Sequence, residues 1–141
     1  MTTIKKLLPL FFLTMIVGLA SCESEEDTSI SGNWNVTTWS ENGVADSDVP
    51  SVNMVIAFSG NTMTISGANV EFNYTGNYSL NANNNLTATL DETTGDSEIN
   101  VFTFDVATTT TSTDLTLDGS LLKLSPFWPD TTVTVAITAT R

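Results

Sequence analysis

The chain has 141 residues, of which 16 are Asp or Glu and four are Lys or Arg, so its formal net charge at pH 7 is −12. A chain this acidic is repelled by nucleic acid and by anionic lipid head groups, which excludes both as partners recognised through charge. Histidine is absent and Cys22 is the only cysteine. These two facts exclude an internal disulfide, Ser-His and Cys-His catalysis and the usual histidine-containing zinc sites. We therefore expect a protein without enzymatic activity, metal or cofactor.

The first 21 residues have the layout of a secretory signal peptide. Two lysines, Lys5 and Lys6, precede an apolar run over residues 7–18, and small residues follow at positions 20 and 21. The apolar run is too short to span a bilayer comfortably, which favours a cleaved signal. Residues 19–22, Leu-Ala-Ser-Cys, resemble a bacterial lipobox. The resemblance implies cleavage before Cys22 and acylation of Cys22, which would attach the mature protein to a membrane.

Residues 22–30 are expected to form a disordered acidic tether, because residues 23–29 (ESEEDTS) include no apolar side chain. After cleavage only two cations, Lys123 and Arg141, remain against sixteen acidic residues, so the mature chain has a formal charge of −14. An acidic cluster directly behind a lipidated cysteine also resembles the export signal of Bacteroidetes lipoproteins, which implies an outer-membrane protein at the cell surface. The alternative is a solvated spacer on a protein that faces the periplasm.

Residues 31–141 are predicted to form one all-β domain. Alternation of apolar and polar residues is clearest in residues 70–80 and in the last strand, where Val133, Val135 and Ile137 share one face. No helix is predicted. Nine strands are expected, at residues 33–40, 52–59, 62–66, 70–80, 86–91, 98–106, 113–117, 121–124 and 132–140.

The connections between these strands are short and rich in Gly, Asn and Asp. Asp118-Gly119 is the strongest hairpin signal, because a type I′ turn requires positive φ at both central residues. The threonine tract at residues 108–113 is interpreted as a strand end that runs into a loop. Short connections make neighbouring strands antiparallel, so the chain is predicted to form an up-and-down meander that either closes into a barrel or folds over into a β-sandwich.

Gly32-Asn33-Trp34 opens the first strand and Arg141 ends the last one. This arrangement resembles the lipocalin-like, or calycin, pattern, in which a Gly-x-Trp begins the barrel and an Arg from the last strand lies across the indole. The resemblance covers residues 30–141, although the helix that follows the barrel in large lipocalins is missing. It implies a closed barrel of eight or nine strands, with Trp34 and Arg141 as the pair that closes one end by a cation–π contact.

The remaining aromatic residues divide into two groups. Phe127 and Trp128 lie between two prolines in a stiff loop before the last strand, where they form either the rim of a ligand entrance or a core anchor. The others are expected to fill the barrel rather than to line a pocket: Phe58, Phe72, Tyr74, Tyr78, Phe102 and Phe104.

Acidic residues cluster at positions 46–48 and at positions 91, 92, 96 and 98, but neither cluster has the ordered spacing of a calcium loop, so solvated loops are expected.

These features predict a monomeric, non-enzymatic, cell-surface lipoprotein with a lipocalin-like barrel that binds a small apolar ligand. Its membrane contact is expected to be the lipid on Cys22. The alternative is a surface interaction protein that recognises a protein or a glycan through its loops. A hydrolase that uses two carboxylates would require a pair of acidic side chains facing each other in a cleft.

Overall fold

The dominant feature of the computed structural model is one antiparallel sheet that closes on itself. The structure describes residues 29–67, 73–94 and 98–141. The predicted signal peptide, Cys22 and most of the predicted tether lie outside the described residues, as do Val70, Phe72 and Asp96. The elements in chain order are β1 Gly32–Glu41, β2 Val44–Ala45, α1 Val49–Val52, β3 Met54–Ser59, β4 Thr62–Gly67, β5 Asn73–Leu80, β6 Asn85–Glu92, β7 Val101–Thr110, β8 Asp114–Leu124 and β9 Thr131–Thr140.

Eight strands form a closed barrel, and β2 is an additional two-residue strand at its edge. The strand order is β1-β3-β4-β5-β6-β7-β8-β9, and β9 pairs back onto β1. Closure depends on the length of β1: residues 32–35 pair with β3, whereas residues 35–41 pair with β9. The predicted all-β antiparallel barrel is therefore confirmed, and the closing β1–β9 pairing excludes the β-sandwich.

Inward-facing side chains of all eight strands fill the barrel. On β9 the predicted apolar face, including Val133, Val135 and Ile137, is buried. Phe58, Tyr74 and Phe104 are buried as predicted, and Tyr78 and Phe102 pack against the core while half-buried. The core is continuous from Ile30 to Ala139 and holds almost entirely apolar side chains, with Thr108 as the buried polar residue among those described.

The predicted hairpin at Asp118-Gly119 is wrong, because β8 runs without interruption from Asp114 to Leu124. Gly119 pairs with Val106 on β7 and with Val135 on β9. A Cβ atom at Gly119 would lie 2.4 Å from the carbonyl oxygen of Asp105. The glycine is required by a close approach of two strands rather than by a turn.

Two further details differ from the sequence prediction. A four-residue helix, α1, precedes β3 and is followed by Asn53, which adopts the left-handed conformation at φ 48°. The two-residue strand β2 is a second difference, and the predicted nine strands include two, at residues 113–117 and 121–124, that are parts of the single strand β8. The threonine tract behaves as predicted: β7 ends at Thr110 and a loop follows.

Antiparallel pairing gives the barrel two distinct ends. The closed end holds the start of β1, the end of β9 and the segment that precedes Gly32. Ile30, placed in the tether by the sequence, is buried there and belongs to the folded domain. The opposite end, called the mouth, holds the end of β1, the β1–β2 hairpin, α1 and the β8–β9 loop. Within the described ranges, no helix is both long enough and apolar enough to cross a membrane.

Candidate binding site

Trp34 and Arg141 meet at the closed end of the barrel. The guanidinium carbon of Arg141 lies 4.4 Å from the centroid of the Trp34 ring, and Trp34 is fully buried. The indole Nε1 of Trp34 donates a hydrogen bond of 2.7 Å to the carbonyl of Ile30. Arg141 Nε donates to the carbonyl of Ser112 at 2.6 Å, and Nη1 donates to the carbonyls of Ser29 and Ser31. One guanidinium thus connects the indole, the β7–β8 loop and the segment before β1.

A cavity of about 220 Å³ lies at the mouth, between the upper ends of the strands. We call it the mouth cavity. Its walls come from the ends of six strands, the segment after β2 and the segment before β7, so barrel closure assembles it from residues far apart in sequence. It is lined by Trp39, Glu41, Asp46, Met54, Ile65, Tyr74, Ile99, Phe102 and Lys123.

Three aromatic rings form one wall of the mouth cavity. Phe102 lies between the other two, with ring centroids 4.4 Å from Tyr74 and 6.4 Å from Trp39. The hydroxyl of Tyr74 donates a hydrogen bond of 2.7 Å to the carbonyl of Ile99. The wall is fixed by these ring contacts and by the hydrogen bond, so it is formed before any ligand arrives.

The polar edge of the mouth cavity consists of an ion pair and a second carboxylate. Lys123 Nζ lies 2.5 Å from Glu41 Oε2, and the two side chains are 21% and 29% exposed. Glu41 Oε1 accepts a hydrogen bond of 2.9 Å from Trp39 Nε1. Asp46 is held by its backbone N–H, which donates to the carbonyl of Trp39 at 2.8 Å, and its Oδ1 accepts the N–H of Asp48. The lining therefore contains two carboxylates and one ammonium group.

The two residues predicted as a ligand rim lie at the same end but outside the mouth cavity. Phe127 is 72% exposed and Trp128 is 59% exposed, in the loop between β8 and β9. Neither belongs to the described lining of the mouth cavity.

Of the polar lining residues, Asp46 belongs to the acidic cluster that the sequence predicts to be a solvated loop, whereas Glu41 and Lys123 have no predicted binding role. For Lys123 a signal exists, because it has the same strand parity as Leu117 and Leu121 and is the only lysine after the predicted cleavage point. For Glu41 no simple signal exists: a bulge between Val36 and Thr38 shifts the inward face of β1 by one residue.

Three other concave features occur on the described part of the barrel. An open depression of about 440 Å³ at the mouth shares Glu41, Asp46 and Lys123 with the mouth cavity. A cavity of about 270 Å³ at the closed end is lined by Ile30, Leu80, Asn84, Thr108 and Thr110. Thr108 is 6% exposed, and its Oγ1 has no hydrogen-bond partner among the described residues. An open depression of about 640 Å³ on the outer face of β5, β6 and β7 is lined largely by Asn, Ser, Thr and Asp side chains.

In the described part of the chain, no three acidic or thiol side chains converge to hold a metal ion. No protein-family model, no curated protein and no solved structure matches the chain. The assignment of a site therefore depends on the geometry of the barrel itself, and the mouth cavity combines a concave volume that is open to solvent, an aromatic wall and a few polar groups.

Proposed function

We propose that the chain is a lipid-anchored, lipocalin-like binding protein of the bacterial outer membrane, without enzymatic activity, that holds a small and largely apolar ligand at the cell surface. The observation that carries the proposal is the mouth cavity, whose wall of Trp39, Tyr74 and Phe102 is apolar and whose polar groups lie together at one edge. Binding sites for small molecules have this composition.

The size of the mouth cavity limits the ligand. An apolar cavity of about 150 Å³ binds benzene, so the 220 Å³ at the mouth accommodate roughly one ring with a short substituent. Cavities for drug-sized ligands begin at about 300 Å³. We therefore propose a ligand with a single ring or a branched chain of similar volume, rather than a long acyl chain.

The position of the N-terminal segment indicates which end of the barrel would face the membrane. The backbone carbonyls of Ser29 and Ser31 accept hydrogen bonds from Arg141 at the closed end, opposite the mouth. Cys22 precedes Ser29 by seven residues, and seven residues span at most about 25 Å when fully extended. A lipid on Cys22 would attach the closed end near the membrane, and the mouth would open toward the surroundings of the cell.

Calorimetric titration with benzyl alcohol, a neutral single-ring probe, tests the proposal. Met54→Trp adds bulk inside the mouth cavity, whereas Val55→Trp adds the same side chain on the opposite face of β3. We expect saturable binding by the wild type and by Val55→Trp, and binding weakened by about tenfold or more in Met54→Trp, which corresponds to a steric cost of about 1.4 kcal/mol. Absence of saturable binding, or equal affinity in both variants, would contradict the proposal.

A second candidate function, adhesion to a protein or a glycan, is favoured by the exposure of Phe127 and Trp128 at the mouth end. Adjacent exposed aromatic side chains on a proline-bounded loop are common in contact patches. This function is tested by comparing the wild type with a Phe127→Ala/Trp128→Ala variant for retention on immobilised polysaccharides and proteins. Equal retention of both proteins would count against it.

A further inference from the structure

The charges around the mouth cavity are unbalanced. Glu41 and Asp46 contribute two carboxylates to its lining, and Lys123 contributes one ammonium group. Lys123 is already paired with Glu41 at 2.5 Å, the one salt bridge found in the described part of the chain. Asp46 therefore adds a negative charge that Lys123 does not neutralise.

The unpaired charge disfavours an anionic ligand. An anion would have to compete with Glu41 for Lys123 and would lie close to two carboxylates. The protein as a whole reinforces this effect, since its formal net charge is −12 for the full chain and −14 after the predicted cleavage. This charge attracts cations and repels anions over the Debye length of about 8 Å at physiological ionic strength. A cation at the mouth would instead neutralise the lining.

The aromatic wall favours the same sign of charge. Trp39, Phe102 and Tyr74 form a contiguous set of rings beside the carboxylates. The face of an aromatic ring carries a negative quadrupole that attracts organic cations, and tryptophan provides the strongest such interaction. A positively charged group attached to an apolar body would match both the polar edge and the aromatic wall.

We propose that the ligand of the mouth cavity is a small organic cation, with an ammonium group directed at Asp46 and Glu41 and a compact apolar body packed against Trp39, Phe102 and Tyr74. This inference rests on the proposed function, because it names the ligand class of the same cavity. Lys123 holds Glu41 in place through their ion pair, and Asp46 supplies the charge that the ligand neutralises.

Three probes of the same ring size separate the possibilities: benzylamine is cationic at pH 7, benzyl alcohol is neutral and benzoate is anionic. We expect benzylamine to bind the purified protein about tenfold more tightly than benzyl alcohol, and benzoate to bind most weakly. Raising the salt concentration from about 0.05 M to about 0.5 M should weaken benzylamine binding and leave benzyl alcohol binding unchanged, because salt screens only the charged interaction.

Asp46→Asn removes the proposed charge and keeps an oxygen that can accept the N–H of Asp48. Asp48→Asn is the matched control, since it removes the same charge two residues away and outside the described lining of the cavity. We expect Asp46→Asn to abolish the preference for benzylamine over benzyl alcohol and Asp48→Asn to retain it.

The outcomes distinguish this inference from the proposed function. If benzyl alcohol or benzoate binds as tightly as benzylamine, or if the two variants have the same preference, the ligand is not selected as a cation although the cavity still binds ligands. If none of the three probes binds, both the inference and the proposed function are overturned.

Discussion

Arg141, the last residue of the chain, lies over the indole of Trp34, the third residue of β1, with 4.4 Å between the guanidinium carbon and the ring centroid. The same guanidinium donates hydrogen bonds to backbone carbonyls of the β7–β8 loop and of the segment before β1. It therefore links the end of β9 to the start of β1 and to the β7–β8 loop at the closed end of the barrel.

Arg141→Ala should lower the stability of the domain more than truncation of a terminal side chain normally does. A partly desolvated cation–π contact contributes on the order of 1–2 kcal/mol, which corresponds to a fall in Tm of roughly 5 °C for a domain of this size. Trp34→Phe combined with Arg141→Ala should be non-additive, because each change removes the same contact. Thermal melts by circular dichroism provide the measurement, and a wild-type Tm for Arg141→Ala would mean that the pair contributes nothing.

Thr108→Val should raise the stability. The hydroxyl of Thr108 is buried in the closed-end cavity without a partner among the described residues, and such a group costs about 1–3 kcal/mol. Valine has nearly the same shape and removes the unpaired oxygen. Thr116→Val, on the exposed face of β8, is the control and should change the free energy of unfolding little. A loss of stability in Thr108→Val, measured by urea denaturation, would show that the hydroxyl is bonded in solution.

Gly119→Ala should destabilise the barrel, because the new methyl group would lie 2.4 Å from the carbonyl oxygen of Asp105. Overpacking of this kind costs about 1–3 kcal/mol. Asp118→Ala, at the neighbouring exposed position, should have little effect. If Asp118→Ala were instead as damaging as Gly119→Ala, the two residues would be acting as a turn, contrary to a continuous β8.

Much of the fold follows from the sequence, because strand alternation and short polar connections determine an antiparallel meander. The failures have local causes. Asp118-Gly119 has the composition of a hairpin turn, but the glycine is needed for strand proximity, which depends on a partner strand that local sequence does not identify. When β8 is divided at this point, the sequence pattern no longer shows that Lys123 lies on the same inward face as Leu117 and Leu121.

The polar edge of the mouth cavity is harder to predict from the sequence than the strands are. The bulge in β1 places Trp39 and Glu41 on the inner face, although strict alternation from Trp34 would place them outside. Asp46 reaches the mouth through a backbone hydrogen bond to Trp39. The bulge arises where β1 pairs with the distant β9, and the bond of Asp46 belongs to the local β1–β2 hairpin. The lining as a whole comes together only when the barrel closes.

Cys22 is expected to be the site of lipid attachment, since it is the only cysteine and directly follows the apolar segment. Metabolic labelling of the native host with an alkyne fatty acid should mark the wild type and leave Cys22→Ala unlabelled. Thr28→Ala, which retains the thiol and residues 19–22, is the control and should be labelled like the wild type. Equal labelling of the wild type and Cys22→Ala would refute lipidation at this residue.

Native mass spectrometry of the protein purified from the bacterium that produces it tests ligand binding at the mouth, because a ligand retained in the mouth cavity would be weighed together with the protein. We expect an additional small mass on the wild type and on Val55→Trp, and its loss from Met54→Trp, whose larger side chain would occupy the mouth cavity. A wild type without any bound mass, or a Met54→Trp variant that carries the same mass as the wild type, would contradict ligand binding at the mouth.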